Sequence, residues 1–309
     1  MKILLLNPNY IRRHNWGHQL FKNEFDRQHE VTYFGKGYKG FKPSLTVPQI
    51  LKRLKIRFDL ILTYESKYSR HFQGLGDITD IPKALIQIDY ALGIDNYKGF
   101  AKIENINQLI NANKPDVMFA TSMSNVEAMK TTFNTDKVFL LPFSVDLHTY
   151  KNMNLKRSID AMAVYSTKSD VYPNRIKVQR MLRQMNITHF TSRVIHNGYV
   201  RKLNQSKIFV ISNNINRRLS MKYTEAMACG ALVLADEPED LDIQGFKNGE
   251  HLVIYDNLKD LKSKIQYYLK HDIEREKIAK AGMNFVRNRH SCKMRVKQFT
   301  KIVKREFGI

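Results

Sequence analysis

The chain has 309 residues, of which 43% are hydrophobic and 11% aromatic, which excludes a disordered protein and allows two packed domains. Its longest apolar runs fall well short of the ~18 residues that a membrane-spanning helix requires. The N-terminal apolar stretch predicts a first strand and no signal peptide, so we expect a cytoplasmic protein. The 51 basic and 29 acidic residues give a net charge of +22, which favours an anionic partner such as nucleic acid or a membrane surface.

In residues 1–150, short apolar runs alternate with amphipathic segments, and this alternation predicts βαβ units with buried parallel strands. The predicted strands are Lys2–Asn7, Glu30–Phe34, Asp59–Thr63, Lys83–Asp89, Asp116–Ala120 and Lys137–Leu141. The predicted helices between them include His18–Arg27, Glu104–Ala112 and Asn125–Thr132.

A polar segment rich in Lys and Asn, Tyr150–Arg157, predicts a linker, after which the alternation restarts. The predicted strands here are Asp160–Tyr165, His189–Val194, Lys207–Ile211, Ala231–Ala235 and His251–Tyr255. The predicted helices are Arg175–Met185, Met221–Cys229, Leu258–Leu269, Ile273–Arg287 and Cys292–Lys304. We therefore expect an α/β fold of two Rossmann-like domains, 1–150 and 151–290, with parallel sheets facing a cleft. Residues 291–309 are expected to form a helix that packs back toward the N-terminal domain.

The most informative segment is a strand, a polar loop and a helix between residues 207 and 229, closed by Gly230 as a C-cap. This arrangement directs free backbone N–H groups and the positive end of the helix dipole toward a bound diphosphate. Arg218 and Lys222 lie four residues apart and can add positive charge for phosphate oxygens. Glu225 can accept hydrogen bonds from the two cis hydroxyls of a ribose. The alternative for Glu225 is a helix-surface carboxylate paired with Arg218 or Lys222.

The segment that runs from Lys222 to Leu234, KYTEAMACGALVL, resembles the signature of group-1 (GT4-like) glycosyltransferases. It is most similar to the subset that includes the CgeB-like spore-maturation proteins. Four other segments resemble the same family in the expected order: Pro142–Asp146, Tyr172–Arg175, Gly249–Tyr255 and Ile278–Gly282. The likeness covers residues 140–300, whereas residues 1–140 share only the pattern of strands and helices.

The resemblance implies a GT-B fold in which the second domain binds a nucleotide-sugar donor and the first binds the acceptor. We expect the donor to be a UDP-sugar. It implies that Glu225 holds the donor ribose and that Arg175 and Lys222 approach the diphosphate; Tyr223 and Thr224 belong to the same motif. It also implies a hexosyl transfer with retention of anomeric configuration. The chain departs from the family at Arg217, where many members carry a glutamate that contacts the transferred sugar.

Candidate residues for the acceptor side lie in the first domain. Asp89 ends a predicted strand and can orient the sugar or accept a proton from the acceptor hydroxyl, unless it is a cap or turn aspartate. The loop after the first strand carries Arg12, Arg13, Trp16 and His18. We predict a catalytic role for His18 and acceptor contacts for the other three, and the alternative is a surface loop with an aromatic plug.

No metal and no cofactor other than the nucleotide-sugar co-substrate is expected. Asp240 and Asp242 match a metal-binding D-x-D motif of another glycosyltransferase fold, but they lie in an acidic loop that Pro238 marks as a turn. Arg and Lys side chains and a helix end can neutralise the leaving diphosphate instead. Cys229 and Cys292 have no metal-ligand spacing and are expected to be buried thiols.

The sequence is compatible with more than one class of acceptor. The positive charge slightly favours hydroxymethylated DNA over a cell-envelope or spore-surface polymer or lipid, and a small molecule or protein is a third class. Peripheral contact with an anionic membrane is compatible with the same charge. Three alternatives to a transferase are an enzyme such as a sugar-nucleotide epimerase, a non-catalytic protein that has kept the fold, and a plain nucleic-acid-binding module.

Overall fold

The computed structural model describes residues 1–9, 16–65, 72–88, 90, 103–167, 172, 174–213 and 217–309, without the side chains of residues 16–19. The chain divides into two compact units. The first comprises Met1–Pro142 and Arg295–Ile309, and the second comprises Phe143–Met294. Both ends of the chain therefore belong to the first unit. No described helix combines the length and the hydrophobicity needed to cross a membrane.

Parallel strands and their crossover helices build the first unit. Its strands are β1 (Lys2–Leu6), β2 (Glu30–Phe34), β3 (Leu60–Tyr64), β4 (Lys83–Gln87), β5 (Val117–Ala120) and β6 (Val138–Leu140). Its helices are α1 (Trp16–Gln28), α2 (Val47–Leu54), α3 (Ile103–Asn113) and α4 (Met123–Phe133), with a 3-10 helix at Leu75–Asp77. Within the described residues, the strands form one six-stranded sheet in the order β2-β1-β3-β4-β5-β6.

The last helix, α10 (Cys292–Phe307), joins the first unit from Arg295 onward. The ring of Phe299 is fully buried, and its centre lies 4.9 Å from that of Phe119 and 5.1 Å from that of Phe25. The lysines on the opposite side of the helix are exposed. An apolar stripe at helical spacing thus holds α10 on the sheet, while its basic face remains in solvent.

The second unit repeats the same plan with a smaller sheet. Its strands are β7 (Ile159–Met162), β8 (His189–Phe190), β9 (Ser206–Ile211), β10 (Leu232–Ala235) and β11 (Val253–Ile254). Its helices are α5 (Arg175–Gln184), α6 (His196–Gln205), α7 (Met221–Ala228), α8 (Leu258–Lys270) and α9 (Asp272–Arg289). In the part of the chain that is described, these strands form a five-stranded parallel sheet in the order β11-β10-β9-β7-β8.

Two glycines stand where a side chain would not fit the backbone. Gly230 ends α7 with a φ of 77°, a left-handed conformation that glycine adopts without strain, as predicted for a C-cap. Gly282 lies where α9 meets the segment before β11, since a Cβ added there would come within 2.3 Å of the carbonyl oxygen of His251. The expectation of buried thiols is confirmed, because Cys229 and Cys292 are both free and buried.

Candidate functional site

The candidate site lies at the carboxyl edge of β9 and β10 in the second unit. Ser212 and Asn213 follow β9, Asp236 follows β10, and the polar loop after β9 leads into α7. Because both strands are parallel, their last residues and the N-terminus of α7 meet at one edge of the sheet. Ligands of parallel sheets bind at such edges, and the free N–H groups of a helix N-terminus favour an anion.

A hydrogen-bonded network fixes the loop that precedes α7. The backbone N–H of Asn213 donates to Oδ1 of Asp236 at 2.8 Å, and its Nδ2 donates to the Asp236 carbonyl at 2.8 Å. The hydroxyl of Tyr223, a fully buried residue of α7, donates to Oδ1 of Asn213 at 2.8 Å. Burial raises the pKa of the Asp236 carboxyl, and the Asn213 N–H acts in the opposite direction. The network therefore joins β9, β10 and α7 into one rigid support.

Arg175, the first residue of α5, brings a buried positive charge to the same edge. Its Nε donates to the carbonyl of Ser212 at 2.8 Å, and its Nη1 donates to that of Ser166 at 3.0 Å. The guanidinium carbon lies 3.5 Å from the centre of the Tyr172 ring and 4.7 Å from that of Tyr165. Burial lowers the pKa of Arg175, but a guanidinium stays protonated in proteins. Arg175 therefore connects the ends of β7 and β9 and also supplies a positive field.

Glu225 is buried in the middle of α7, with only 7% of its surface exposed, so it is not a helix-surface carboxylate. The Tyr150 hydroxyl donates a hydrogen bond to its carboxylate, and the hydroxyl of Tyr199 also favours the charged form. Burial raises the pKa of the Glu225 carboxyl, whereas the Lys222 ammonium lowers it. A buried carboxylate with a cation and two hydroxyls around it is a typical binding or catalytic group.

Lys222 lies one turn before Glu225 on the same helix. Its side chain is half-buried, and its Nζ lies 4.7 Å from the centre of the Tyr199 ring, close enough for a cation–π interaction. Burial lowers the pKa of the Lys222 ammonium, and the Glu225 carboxylate opposes that effect. Arg218 is half-buried in the loop before α7. The helix start thus carries the two basic residues that the sequence predicts there.

Comparisons with known proteins find one family model and several solved structures of similar fold. Residues 159–301 match a family model described as glycosyl transferase-like. A search of curated proteins found no significant match. Among solved structures, Anabaena HepE in complex with UDP-glucose is 13% identical over 99% of this chain and 100% of its own, with a TM-score of 0.70. A sucrose-phosphate synthase from Thermosynechococcus elongatus is 12% identical over 100% of this chain and 99% of its own, with a TM-score of 0.67.

A glycosyltransferase from Rickettsia africae is 14% identical over 99% of this chain and 98% of its own, with a TM-score of 0.65. The fold is GT-B. The match to the family model, residues 159–301, includes Arg175, Lys222 and Glu225, whereas Tyr150 precedes it. The predicted fold class of two parallel-sheet α/β domains is confirmed, whereas the likeness to the CgeB-like subset stays a prediction.

The GT-B structure also shows where the other members of the predicted motif lie. The Tyr223 side chain binds Asn213, and the Thr224 hydroxyl donates to the carbonyl of Met221 at 3.0 Å, so both hydroxyls are engaged within the unit. Their predicted role in binding a ligand stays a prediction. Arg217, at the position of the absent family glutamate, has a φ of 47° and forms an exposed ion pair with Glu237 at 3.3 Å.

Sequence reasoning missed the two tyrosines that surround Glu225. Tyr150 lies in the segment predicted as a linker, and Tyr199 lies on α6, a helix that was not predicted. Burial raises the pKa of both phenols, so both stay protonated. Tyr150 donates to the Glu225 carboxylate, whereas the Tyr199 hydroxyl is near enough to favour its charged form but has no hydrogen-bond partner among the described residues. The apolar residues Tyr199, Val200 and Leu203 of α6 have helical spacing, which is a signal that could have found this helix.

The acceptor-side candidates of the first unit lie in the loop after β1, at the start of α1 and after β4. Arg12, Arg13 and Asp89 lie outside the described residues. Trp16 and His18 lie in the first turn of α1, but their side chains are outside the description. The roles predicted for these residues therefore stay predictions.

The D-x-D segment of the second unit does not bring two carboxylates to one point. Asp240 is buried at 1% exposure, whereas Asp242 is exposed. Across the residues that the structure describes, no group of three or more His, Cys, Asp or Glu side chains is placed to hold a metal ion.

Proposed function

We propose that the protein is a glycosyltransferase that transfers a sugar from a nucleotide-sugar donor, most consistent with a UDP-sugar. The observation that carries this proposal is the buried carboxylate of Glu225, placed on α7 beside Lys222 and inside the segment that matches a glycosyltransferase-like family. The complex of Anabaena HepE with UDP-glucose, a protein of the same fold, supports the choice of nucleotide. The donor is then bound by the second unit at the carboxyl edge of β9 and β10.

In this proposal Glu225 accepts hydrogen bonds from the two ribose hydroxyls of the nucleotide. A carboxylate has about four lone-pair sites, so the bond from Tyr150 leaves capacity for both of them. Tyr150 fixes the carboxylate, and both hydroxyls favour its charged form, which strengthens the hydrogen bonds it accepts.

The diphosphate is then placed at the N-terminus of α7. Lys222 and Arg218 lie at this end of the helix, and Arg175 supplies a further positive charge from α5. Cleavage of the bond between sugar and diphosphate leaves negative charge on the diphosphate, which prearranged cations and backbone N–H groups stabilise without a metal ion. Transfer of a hexosyl group with retention is our expectation for the reaction type.

The donor site can be tested by thermal unfolding with UDP, GDP, ADP and UDP-glucose at millimolar concentration. A ligand at about 100 times its dissociation constant stabilises the folded state by about 2.7 kcal/mol, which raises the melting temperature by several degrees. We expect a shift with UDP and UDP-glucose that Glu225→Ala abolishes and Glu225→Gln weakens, while both variants stay folded. Unchanged UDP affinity in Glu225→Ala would refute the assignment of Glu225.

For the acceptor, the net charge of +22 supports an anionic class, with hydroxymethylated DNA slightly preferred over an envelope polymer or lipid. Asp89 and His18 are the proposed groups that orient or deprotonate the acceptor, and Arg12, Arg13 and Trp16 are its proposed contacts. Incubation with labelled UDP-glucose and either hydroxymethylated DNA or anionic lipid vesicles separates the two classes. Label on the DNA alone supports DNA as the acceptor, and label on the lipid alone would make the lipid the acceptor instead.

A further inference from the structure

The excess positive charge of the chain is concentrated in the segment that runs from α5 to the end of α6. Residues 174–205 contain seven Lys and Arg residues and no Asp or Glu, although they make up only a tenth of the chain. They carry about a third of the net charge of +22. All of these residues belong to the described part of the second unit, so the positions of these charges are known.

Helix α5 has an apolar side toward the core and a basic side toward solvent. Val178 and Leu182 are fully buried in the core of the second unit. Lys177, Arg180 and Arg183 are exposed, and their spacing of three residues places them in one row on the opposite side of the helix. None of these three cations forms an ion pair with a described carboxylate. The row is therefore a stretch of positive charge that its surroundings do not neutralise.

The row leads to the edge strand of the second sheet, where side chains of a second helix join it. Among the described strands, β8 pairs only with β7, so its other side is open. Helices α5 and α6 connect to β8 from opposite faces of the sheet, because one crossover runs toward this edge and the other runs back. Arg183 donates from Nε to Oγ1 of Thr191 at 3.2 Å, and Nζ of Lys202 lies 4.9 Å from the centre of the Phe190 ring. Basic side chains from both helices therefore meet at this edge.

Two further arginines extend the positive surface. Arg193 follows β8 and Arg201 lies on α6, and both are exposed. The carboxylate of Asp160, which accepts from the backbone N–H of Thr188 at 3.0 Å, does not offset them, because it is paired with Nζ of Lys207 at 2.7 Å. We refer to this surface as the basic edge, and its exposed cations are Lys177, Arg180, Arg183, Arg193 and Arg201.

Two exposed isoleucines lie among these cations. Ile176 precedes Lys177 on α5 and is 41% exposed, and Ile195 lies between β8 and α6 and is 52% exposed. Exposed aliphatic side chains among cations are typical of surfaces that lie on an anionic bilayer, where the headgroups attract the charges and the acyl boundary takes the apolar groups. A single-stranded polynucleotide would stack on exposed aromatic rings, but Phe190 is half-buried and Tyr199 is buried. The composition of the basic edge therefore favours a lipid surface over a polynucleotide.

We propose that the basic edge of the second unit docks on a membrane surface that contains anionic phospholipids. The phosphate groups of the lipids bind the Lys and Arg side chains, and Ile176 and Ile195 enter the headgroup region. Each Lys or Arg near an anionic bilayer strengthens binding by about fivefold. This docking is separate from the proposed donor site, since Arg175, the residue of α5 assigned to the diphosphate, is buried and does not belong to the basic edge.

Sedimentation with vesicles tests the charged part of this surface. The vesicles consist of phosphatidylcholine with or without phosphatidylglycerol, at about 0.1 M salt, where charges more than about 10 Å apart are largely screened. We expect the wild type to bind only the vesicles that contain phosphatidylglycerol. A variant that combines Lys177→Gln, Arg180→Gln and Arg201→Gln should bind them about a hundredfold more weakly, because three charges are removed.

The matched control removes the same number of charges from another exposed basic surface. It combines Lys297→Gln, Lys301→Gln and Lys304→Gln on α10, which belong to the first unit. Its net charge equals that of the basic-edge variant, and we expect it to lose less than about tenfold in vesicle binding. Equal losses in the two variants would mean that net charge acts without a defined surface, which would overturn the proposal.

The isoleucines distinguish a bilayer from a nucleic acid. Ile176→Ser combined with Ile195→Ser should weaken binding to phosphatidylglycerol vesicles by about tenfold, while any binding to duplex DNA stays unchanged. Melting temperatures close to that of the wild type show that the variants are folded. The proposal is wrong if the wild type does not bind these vesicles, or if the isoleucine variant binds them as the wild type does. Duplex DNA binding that depends on the basic edge, in a protein that does not bind the vesicles, would assign this surface to nucleic acid instead.

Discussion

Two asparagines at the carboxyl edges of the two sheets have opposite surroundings. In the second unit, Asn213 is tied to Asp236 and Tyr223 by three hydrogen bonds of 2.8 Å. In the first unit, neither polar atom of the Asn7 side chain has a partner in the described structure. Both residues follow a central strand of a parallel sheet, so topology does not explain the difference. Asn213 is held by its neighbours, whereas the Asn7 side chain is buried without hydrogen bonds.

The comparison shows two kinds of buried polar side chain at the carboxyl edge of a sheet. Side chains that position a ligand-binding group are held by their neighbours, as Arg175 is by two carbonyls and two aromatic rings. A buried side chain with unsatisfied polar groups instead lowers stability, as the Asn7 amide does. Substitutions in the first class should therefore destabilise the protein, and substitutions in the second should not.

The largest loss of stability is expected for Arg175→Ala. This change leaves the carbonyls of Ser212 and Ser166 without their donor and removes the stacking on Tyr172, so unfolding free energy should fall by roughly 3–4 kcal/mol. Urea-induced unfolding measures the loss. Arg175→Lys keeps the charge but not the planar fork and should lose about half as much. A loss below about 1 kcal/mol in the alanine variant would show that Arg175 does not support this edge.

Lys22→Met should increase the free energy of unfolding instead of lowering it. Burial lowers the pKa of Lys22 from its ordinary value of 10.5 to about 8, which corresponds to roughly 3 kcal/mol of destabilisation when the ammonium is charged in both states. The folded state releases this proton near pH 8 and the unfolded state only near 10.5, so the stability of the wild type rises with pH between these values. The advantage of Lys22→Met should thus be greatest below pH 8 and shrink above it.

The control for this pH dependence is Lys52→Met, which removes an exposed lysine and should leave the difference from wild type near zero at every pH. Urea unfolding between pH 6 and 10 gives the curves for all three proteins. Two results would contradict the description of Lys22 as a buried charge that costs stability. One is a Lys22→Met variant that is less stable than the wild type at pH 7, and the other is a difference in stability between the two proteins that does not change with pH.

A smaller loss is expected for Asn213→Ala in the second unit. The substitution removes the donor to the Asp236 carbonyl and the acceptor of the Tyr223 hydroxyl, and both partners stay buried, so stability should fall by about 2 kcal/mol. The backbone bond to Oδ1 of Asp236 is retained. Because the loop before α7 loosens, UDP affinity should fall as well, which thermal shift with UDP can measure. Unchanged stability would contradict the supporting role of this network.

The arrangement of the strands could be predicted from sequence because buried parallel strands are continuous apolar runs. The runs predicted at Glu30–Phe34 and Lys207–Ile211 coincide with β2 and β9 to within one residue. Helix α6 was missed, and α2 was not named among the helices expected between the strands of the first domain. The start of α2 carries a local signal, since Thr46 and Gln49 form a reciprocal capping box. The helix has only eight residues, however, and Pro48 interrupts its apolar pattern in the sequence.

Within the site, local pattern identified the residues of one helix and missed their partners. Lys222 and Glu225 were found because a strand, a polar loop and a helix stand next to each other in the sequence. Tyr150 lies 75 residues before Glu225 in the chain, and Asp236 reaches Asn213 across neighbouring strands. Contacts of this kind depend on tertiary packing, which hydrophobic periodicity does not encode. The unsatisfied amide of Asn7 is likewise invisible in sequence, because it is defined by the partners that the fold does not supply.

The smallest expected change is that of Asn7→Ala, and it tests the comparison most directly because it repeats the Asn213 substitution at the other edge. No hydrogen bond is lost when the Asn7 side chain is removed, and two buried polar atoms that lack partners disappear. Their removal offsets the cavity left by the smaller side chain, so we expect stability between the wild-type value and about 1 kcal/mol above it. Urea unfolding of the two alanine variants in parallel measures the difference. A loss of about 2 kcal/mol in both would mean that Asn7 is a supporting residue like Asn213 and that a bound water completes its hydrogen bonds, since structural water makes such amides costly to remove.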